Sequence, residues 1–577
     1  MRSICSARCT LVRIERSLVA RRAWVLPGWP RYVYPALLLL VLGLPFDALQ
    51  PLPGLPFNDL KLLLGLLGLA WLVSGSGALP SPAEARMLAP TLLLFGVAVL
   101  SALQSGDYQS ESLRFTVRFA VAAFVMLVAA RVTRSPHHLK GVLWAVVVGA
   151  GVSALLGLGE AAGWPTAESV LGLFKTVPTR VAGQLRVGAS FQYATIAAMY
   201  FEMATPLAVC LAATTKRVGP WLLATAVACA CSANIVLSLT RTGIATLAVL
   251  LGVLLALGWC WRCMRSAAPP TLAAAAVLIG LLLVAFARDP VFNLRLASEN
   301  DADWYGATYV APSSLTLRTD SPQSVEIEVA NTGRITWRDD PRQPFELSYR
   351  WLTGDGSGVL DAPRGEARLP RDVAPGETVR IQTTVSAADL PAGAYRLAWD
   401  MRQRDVVQFS ERGWAEAETL VEVANPRPAP PPAVEPREEA VAPWVVPRVF
   451  LWQAALSLFR QHPILGVGPD NFRHLYGAEL GLEGWDERVQ ANNMYLEILA
   501  DLGVLGVLAL AWLLVVPLAR AVRRVRRLPG PDSVLLVGVC LALGAFLLHG
   551  LLDTFVAFTS TALLFWLCLG VAHGAAE

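Results

Sequence analysis

Long apolar runs alternate along this chain with short polar breaks, and the length of the runs decides the fold class. A helix that crosses a bilayer needs about 20 mostly apolar residues. Runs of that order lie near 33 to 50, 58 to 75, 88 to 104, 113 to 131, 140 to 161, 191 to 214, 218 to 238, 243 to 262 and 270 to 288, and again near 493 to 517, 533 to 552 and 555 to 573. They predict about twelve spanning helices, interrupted by one polar gap from 289 to 492. Inside the gap the period shortens. Between 313 and 424, runs such as Val325-Glu326-Ile327-Glu328-Val329, Val379-Arg380-Ile381 and Tyr395-Arg396-Leu397-Ala398-Trp399 alternate in twos. Turns such as Asn331-Thr332-Gly333 and Ala374-Pro375-Gly376-Glu377 separate them, which is the spacing of an all-β, immunoglobulin-like sandwich. A proline-rich linker with an acidic patch at Glu435, Glu438 and Glu439 follows over 425 to 446. From 447 to 460 apolar residues return at helical spacing (Val449, Phe450, Trp452, Ala455, Leu456, Phe459), which predicts a helix lying on the membrane surface.

Composition supports the membrane class: 55% of the 577 residues are hydrophobic and 16% charged. The basic residues then orient the chain, because Lys and Arg stay on the cytoplasmic side. They sit in every second loop: the tail to Arg31, then Arg131, Arg134 and Lys140, then Lys216 and Arg217, then Arg262 and Arg265, then Arg520 to Arg527. That phase puts both termini inside and the 289 to 492 segment outside. The resulting division is a basic cytoplasmic tail over 1 to 31 and helices one to nine over 32 to 288. Outside lie the β domain over 313 to 424, the linker over 425 to 446, and a surface helix with its loop over 447 to 492. Helices ten to twelve fill 493 to 577. A net charge of +4, spread in short clusters, does not suggest a nucleic-acid partner. None of the nine cysteines falls in the outside segment, so its fold is expected to need no disulfide. Cys260 and Cys263 have the spacing of half a metal or redox site, but no second pair accompanies them.

Ionisable groups at a membrane rim are expensive to hold and are functional candidates by default. Arg241 occupies a very short outer turn, Ser238-Leu239-Thr240-Arg241-Thr242-Gly243, where interfacial snorkelling is its bland explanation. Arg180 and Arg186 lie in the outer loop before the sixth helix, and Glu202 lies within that helix. Arg186 and Arg241 together make the type of site that grips a diphosphate, since guanidinium forks match phosphate oxygens and stay charged. Neutralisation by arginine predicts chemistry without a metal ion or other cofactor. Two further pairs stand out. Glu497 and Asp501 share one face of the tenth helix, and His549 and Asp553 repeat the four-residue spacing at the outer end of the eleventh. A His and Asp pair is either a general base with its orienting partner or a buried structural pair.

Four patches resemble the bacterial O-antigen ligase and polymerase family of lipid-linked glycan transferases. They are Arg186-Val187-Gly188-Ala189-Ser190-Phe191, the Ser238 to Gly243 turn, His462-Pro463-Ile464-Leu465-Gly466-Val467-Gly468-Pro469-Asp470-Asn471-Phe472, and Asn492-Asn493-Met494-Tyr495-Leu496-Glu497 running on to Gly503 and Gly506. The resemblance implies a multi-pass inner-membrane glycosyltransferase of envelope polysaccharide or lipopolysaccharide biosynthesis. It would work with inversion at the periplasmic face, on a polyprenyl-diphosphate-linked glycan donor and a lipid, glycan or protein acceptor. Arg186 and Arg241 would hold the diphosphate, and a loop histidine would activate the acceptor hydroxyl. Here the chain departs: the family usually reads His-Asn before Tyr-Leu-Glu, and this chain has Asn492 in that place. Asparagine orients a hydroxyl but cannot take its proton. His462, His474, Glu497, and the His549 and Asp553 pair are left as candidate bases. The substitution also opens a second reading, a non-catalytic protein that presents lipid-linked glycan to assembly or export partners. A transporter is disfavoured, since no internal repeat is evident and the candidates cluster at the rim.

Overall fold

The computed structural model describes residues 29–48, 58–74, 82–176, 178–181, 184–298, 302–339, 343–388, 390–424, 434–436, 446–527 and 530–576. The expected basic tail up to residue 28 and nearly all of the expected proline-rich linker lie outside the described residues. Each of the twelve apolar runs carries a helix. In chain order with their connectors these are α1 (Trp29–Gly43), α2 (Asp59–Val73), α3 (Pro82–Leu103), α4 (Gln109–Val132), α5 (Pro136–Ala161), the short α6 (Pro165–Leu171), α7 (Ala194–Thr214), α8 (Val218–Leu237), α9 (Arg241–Cys260), α10 (Ala268–Arg288) and the short α11 (Pro290–Ala297). After the sheet region come α12 (Arg448–Gln461), α13 (Phe472–Glu479), α14 (Met494–Arg527), α15 (Pro531–His549) and α16 (Thr559–Gly574). Among the described residues nine helices are long and apolar enough to cross a membrane, and Arg31–Gly43 and Thr559–Gly574 are shorter apolar helices. The protein is a multi-pass helical membrane protein.

Helix α7 is the centre of the bundle, buried on every side from Ile196 to Ala212. Its alanines (Ala197, Ala198, Ala204, Ala208) let neighbours approach closely, which is how helices associate where lipid removes the hydrophobic drive. Prolines at the first turn start α5, α6, α11 and α15, where the missing N–H would have had no helical partner. One buried charge locks the far end of the bundle: Glu84 on α3 accepts from Arg131 at 2.8 Å and from Arg134 at 3.2 Å.

Between α11 and α12 the chain forms two sheets. The long strands are β5 (Gln323–Asn331), β6 (Phe345–Thr353), β9 (Thr378–Val385), β10 (Gly393–Gln403) and β12 (Ala417–Ala424). The short strands are β3 (Ala307–Val310), β4 (Ser314–Arg318), β7 (Gly358–Leu360), β8 (Gly365–Arg368), β11 (Val407–Gln408) and β13 (Val434–Pro436). One sheet has the order β13-β7-β6-β10-β12-β4, with β8 on β6 and β11 on β10, and the other is β3-β5-β9. The period-two pattern of the sequence is realised as alternating burial: Val379 and Ile381 face in while Arg380 faces out. The inward side chains of both sheets form one core around Trp304, Trp337, Trp351 and Trp399. That core does not stop at the sheets. It takes in Val181, Leu239 and Phe292, all buried and all contributed by the ends and connectors of the helices.

Helix α12 forms as expected, but the face it buries is Leu451, Ala454, Ala455 and Leu458, packed with Val467, Phe472 and Tyr476. Val449 and Phe450 remain exposed.

Candidate active site

Two corners are built at the end of the bundle where α7 and α9 begin. The first holds the arginines. A two-residue hairpin, β1 (Arg180–Val181) and β2 (Gln184–Leu185), precedes Arg186, whose N–H bonds Thr179 O at 2.8 Å, while Val187 N bonds Leu237 O at 3.1 Å. The Arg186 side chain is thereby aimed across the turn between α8 and α9. Its Nε donates to Ser238 O at 3.0 Å and its Nη2 to Thr240 Oγ1 at 3.4 Å. Arg241 is the next residue, the first of α9, and its Nη1 donates to Ser298 O at 2.6 Å. Both arginines are half-buried; the Arg186 guanidinium attaches to the turn at Ser238 and Thr240, and that of Arg241 to the end of α11 at Ser298. Behind Arg186, Glu160 on α5 pairs with Lys175 and accepts Ala189 N at 3.0 Å. Burial holds the Lys175 ammonium below its ordinary pKa, against the pull of Glu160.

The second corner is a backbone splice. Helix α14 is interrupted at Gly503 (φ 63°, ψ −166°), and the 463 to 468 segment inserts there. Val467 N bonds Ala500 O, Gly468 N bonds Asp501 O, Val504 N bonds Pro463 O and Leu505 N bonds Ile464 O, at 2.9 to 3.3 Å. Backbone groups that the break leaves unpaired are thus satisfied by the strap. The glycines are what permit the approach: a Cβ on Gly466 would meet Asp501 C at 2.3 Å, and one on Gly503 would meet Ile464 O at 2.4 Å. The carboxylates finish the splice. Asp501 accepts Asp470 N at 2.8 Å and Phe472 N at 3.0 Å, and Glu497 accepts Ala491 N at 2.9 Å and Thr554 Oγ1 at 3.0 Å.

Left-handed backbone marks both corners. Five non-glycine residues among the described ones have positive φ, and four fall one in each of the four patches: Ala189 (47°), Leu239 (54°), Asp470 (67°) and Asn492 (49°). The fifth, Asp405, is in a hairpin between β10 and β11. Such conformations are strained for side chains other than Asn and Asp and persist where the surroundings impose them, typically at functional sites.

The model of the O-antigen ligase family matches residues 418–511, which contain the whole splice. This segment of the chain is similar to the O-antigen ligase family. Arg186 and Arg241 lie outside the matched residues. No curated protein matches the chain. A solved structure of the Pseudomonas fluorescens alkylpurine DNA glycosylase AlkC, bound to DNA containing an abasic site analog, is similar at 10% identity, covering 60% of this chain and 100% of that one. Its TM-score of 0.14 means that the folds do not superimpose.

Within the O-antigen ligase segment and its neighbours, the candidate bases have unlike surroundings. His462 caps the end of α12 with an exposed side chain. His474 is buried, stacked on Tyr108 with ring centroids 4.7 Å apart, and its Nδ1 meets Glu487 Oε2 at 3.0 Å. Asn492 is half-buried at its left-handed turn, and Asn493 caps α14 by accepting Tyr495 N and Leu496 N at 3.0 Å. The expected pairing of His549 with Asp553 is replaced. Helix α15 ends at His549, so the four-residue spacing does not place Asp553 on its face. His549 instead meets Glu202 of α7, Nδ1 to Oε1 at 2.9 Å, with both side chains fully buried. Asp553 is half-buried beside the Asn492 turn: its backbone O accepts Met494 N at 3.2 Å and its Oδ1 accepts Thr554 N at 3.0 Å.

Among the described residues no three of His, Cys, Asp and Glu converge as metal ligands. An Asp-x-Asp sequence does occur in the inserted segment, Asp301-Ala302-Asp303, and Asp303 pairs with Arg334 at 3.0 Å. Sequence reasoning missed Glu160, Lys175 and Ser298. A lone glutamate near the end of an apolar run was a usable signal for Glu160; nothing in the sequence distinguishes Ser298.

Proposed function

We propose that the chain is an inverting, metal-independent glycosyltransferase of the O-antigen ligase or polymerase type. It moves a glycan from a polyprenyl-diphosphate donor to a lipid or glycan acceptor at the periplasmic face of the bacterial inner membrane, with both termini cytoplasmic. The two sheets are read as an immunoglobulin-like insertion on the same side. The observation that supports this reading is that Arg186 bonds the strained turn from which Arg241 springs, while the Arg241 guanidinium bonds the Ser298 carbonyl at the end of α11. The acceptor oxygen attacks the anomeric carbon as the bond from that carbon to the phosphate oxygen breaks. The electron pair leaves with the polyprenyl diphosphate, whose growing charge the guanidinium groups stabilise. Asn492 orients the acceptor hydroxyl. Asp553, the half-buried carboxyl beside it, takes the proton.

The test is transfer by the purified protein from a polyprenyl-diphosphate glycan, with and without Arg241→Ala. Loss of one charged hydrogen-bonding group is expected to lower the rate by about one to two orders of magnitude. Undiminished transfer overturns the diphosphate role. Asn492 in the family's histidine position supports one second reading, a non-catalytic binder of lipid-linked glycan. Transfer seen only with Asn492→His in the same assay favours it.

A further inference from the structure

The geometry points to a role for the sheet insertion beyond that of a spacer: we propose that Ser298 and Trp304 are positioning residues through which the insertion sets Arg241. This rests on the diphosphate reading of Arg241. Ser298 ends α11, its N–H bonding Leu294 O at 3.0 Å. Its carbonyl holds Arg241 Nη1 at 2.6 Å, and its hydroxyl accepts the indole N–H of Trp304 at 2.7 Å. Trp304 is fully buried and belongs to the sheet core, and its own carbonyl accepts Arg334 N at 3.0 Å. A Cβ on Gly333 would meet that carbonyl at 2.2 Å, so the sheets close tightly over Trp304.

A second line of contact runs in parallel. Leu239, the left-handed residue of the arginine turn, is buried in the same core as Trp304, with Val181 from the hairpin before Arg186 and Phe292 from α11. Gln184 on that hairpin bonds Asp289, whose other oxygen caps α11 at Phe292 N. The sheet core, α11, the hairpin and the arginine turn therefore share one packed block. A displacement of the sheets, by a bound acceptor or a partner, would be carried to the guanidinium that grips the donor.

The experiment measures binding of farnesyl diphosphate to the full-length protein in detergent by calorimetry. Trp304→Phe keeps the buried ring and removes its N–H, and Ser298→Ala removes the acceptor. Each is expected to weaken binding about three- to tenfold, the scale of one neutral hydrogen bond. The double variant should be no weaker than the worse single one. Ser298→Thr, which keeps the hydroxyl, should restore binding, and Trp351→Phe, in the same core but away from Ser298, should leave it unchanged. Equal weakening by Trp351→Phe, additive effects, or normal binding by both Trp304→Phe and Ser298→Ala while Arg241→Ala still loses it would overturn the proposal. Normal binding by Arg241→Ala overturns the diphosphate reading itself.

Discussion

The two corners at the same end of the bundle use ionisable side chains in opposite ways. In the arginine corner Arg186 leans on the Ser238 carbonyl of the strained turn and Arg241 on the Ser298 carbonyl at the end of α11, and both residues are half-buried. In the splice the carboxyl groups of Glu497 and Asp501 are buried and their oxygens accept backbone N–H groups of the strap and loop. The lesson is that a buried carboxylate in a membrane protein is as readily an organiser of backbone as a catalyst. The guanidinium is a planar fork of five N–H donors, the geometry that matches phosphate oxygens. The matched family segment covers the splice and Asn492; the proposed donor binding leans on the other corner.

If the splice is scaffold, its glycines matter more than its acids. Gly503→Ala is expected to have the largest effect of any single change in this region. The φ and ψ of Gly503 are open to glycine almost alone, at a cost of about 1 to 3 kcal/mol for other residues. The added Cβ would also overlap Ile464 O at 2.4 Å. The purified variant should melt at a clearly lower temperature, and its amides at Val467, Gly468 and Val504 should lose protection from hydrogen exchange. Unchanged protection there would break the comparison at its root.

The fold was largely legible because its signals are local. Apolar runs of spanning length pointed to a multi-pass helical bundle, in which nine helices among the described residues are long and apolar enough to cross a membrane, and the alternation of Val379, Arg380 and Ile381 pointed to a strand with the right faces in and out. The site was legible only in part. The arginine turn could be singled out because Arg241 interrupts an apolar stretch. Its partners could not, since Ser298 is 57 residues away in sequence and contributes a backbone carbonyl, which every residue has. Helix periodicity misled at His549, because it assumed that α15 continues past the residue where it stops. The motif from His462 to Phe472 looked catalytic for its histidine, whereas its glycines and its approach to Gly503 account for most of its pattern.

The same view of carboxylates extends to the sheets, where Asp400 on β10 accepts the N–H and hydroxyl of Ser410, at 3.2 and 2.6 Å. Burial, with the negative charge of Glu416, pushes its pKa from 3.8 up to about 6, against the pull of Ser410 and Arg350. A carboxyl whose folded pKa is raised stabilises the fold fully below its unfolded value, and that contribution is lost as pH rises through the folded one. The sheets should therefore lose on the order of 2 kcal/mol between pH 4 and pH 6. Hydrogen exchange at β10 and β6, corrected for intrinsic rates, measures it in the full chain. Asp400→Asn should flatten the dependence, and a sheet region that gains stability over that window contradicts the assignment.

The smallest effect is the sharpest discriminator between the corners. Glu497→Gln keeps a carbonyl oxygen able to accept Ala491 N and Thr554 Oγ1, and removes the capacity to act as a base. If Glu497 is a backbone organiser, the amide holds the Asn492 turn nearly as well and transfer falls by less than about threefold, within the energy of a weakened hydrogen bond. If Glu497 takes the acceptor proton, the loss is about a hundredfold or more, since general-base catalysis is worth that much. The melting temperature should barely move in either case, because the variant is isosteric, so a kinetic loss would be chemical in origin. A hundredfold loss would move the chemistry into the splice and leave Asp553 without its role.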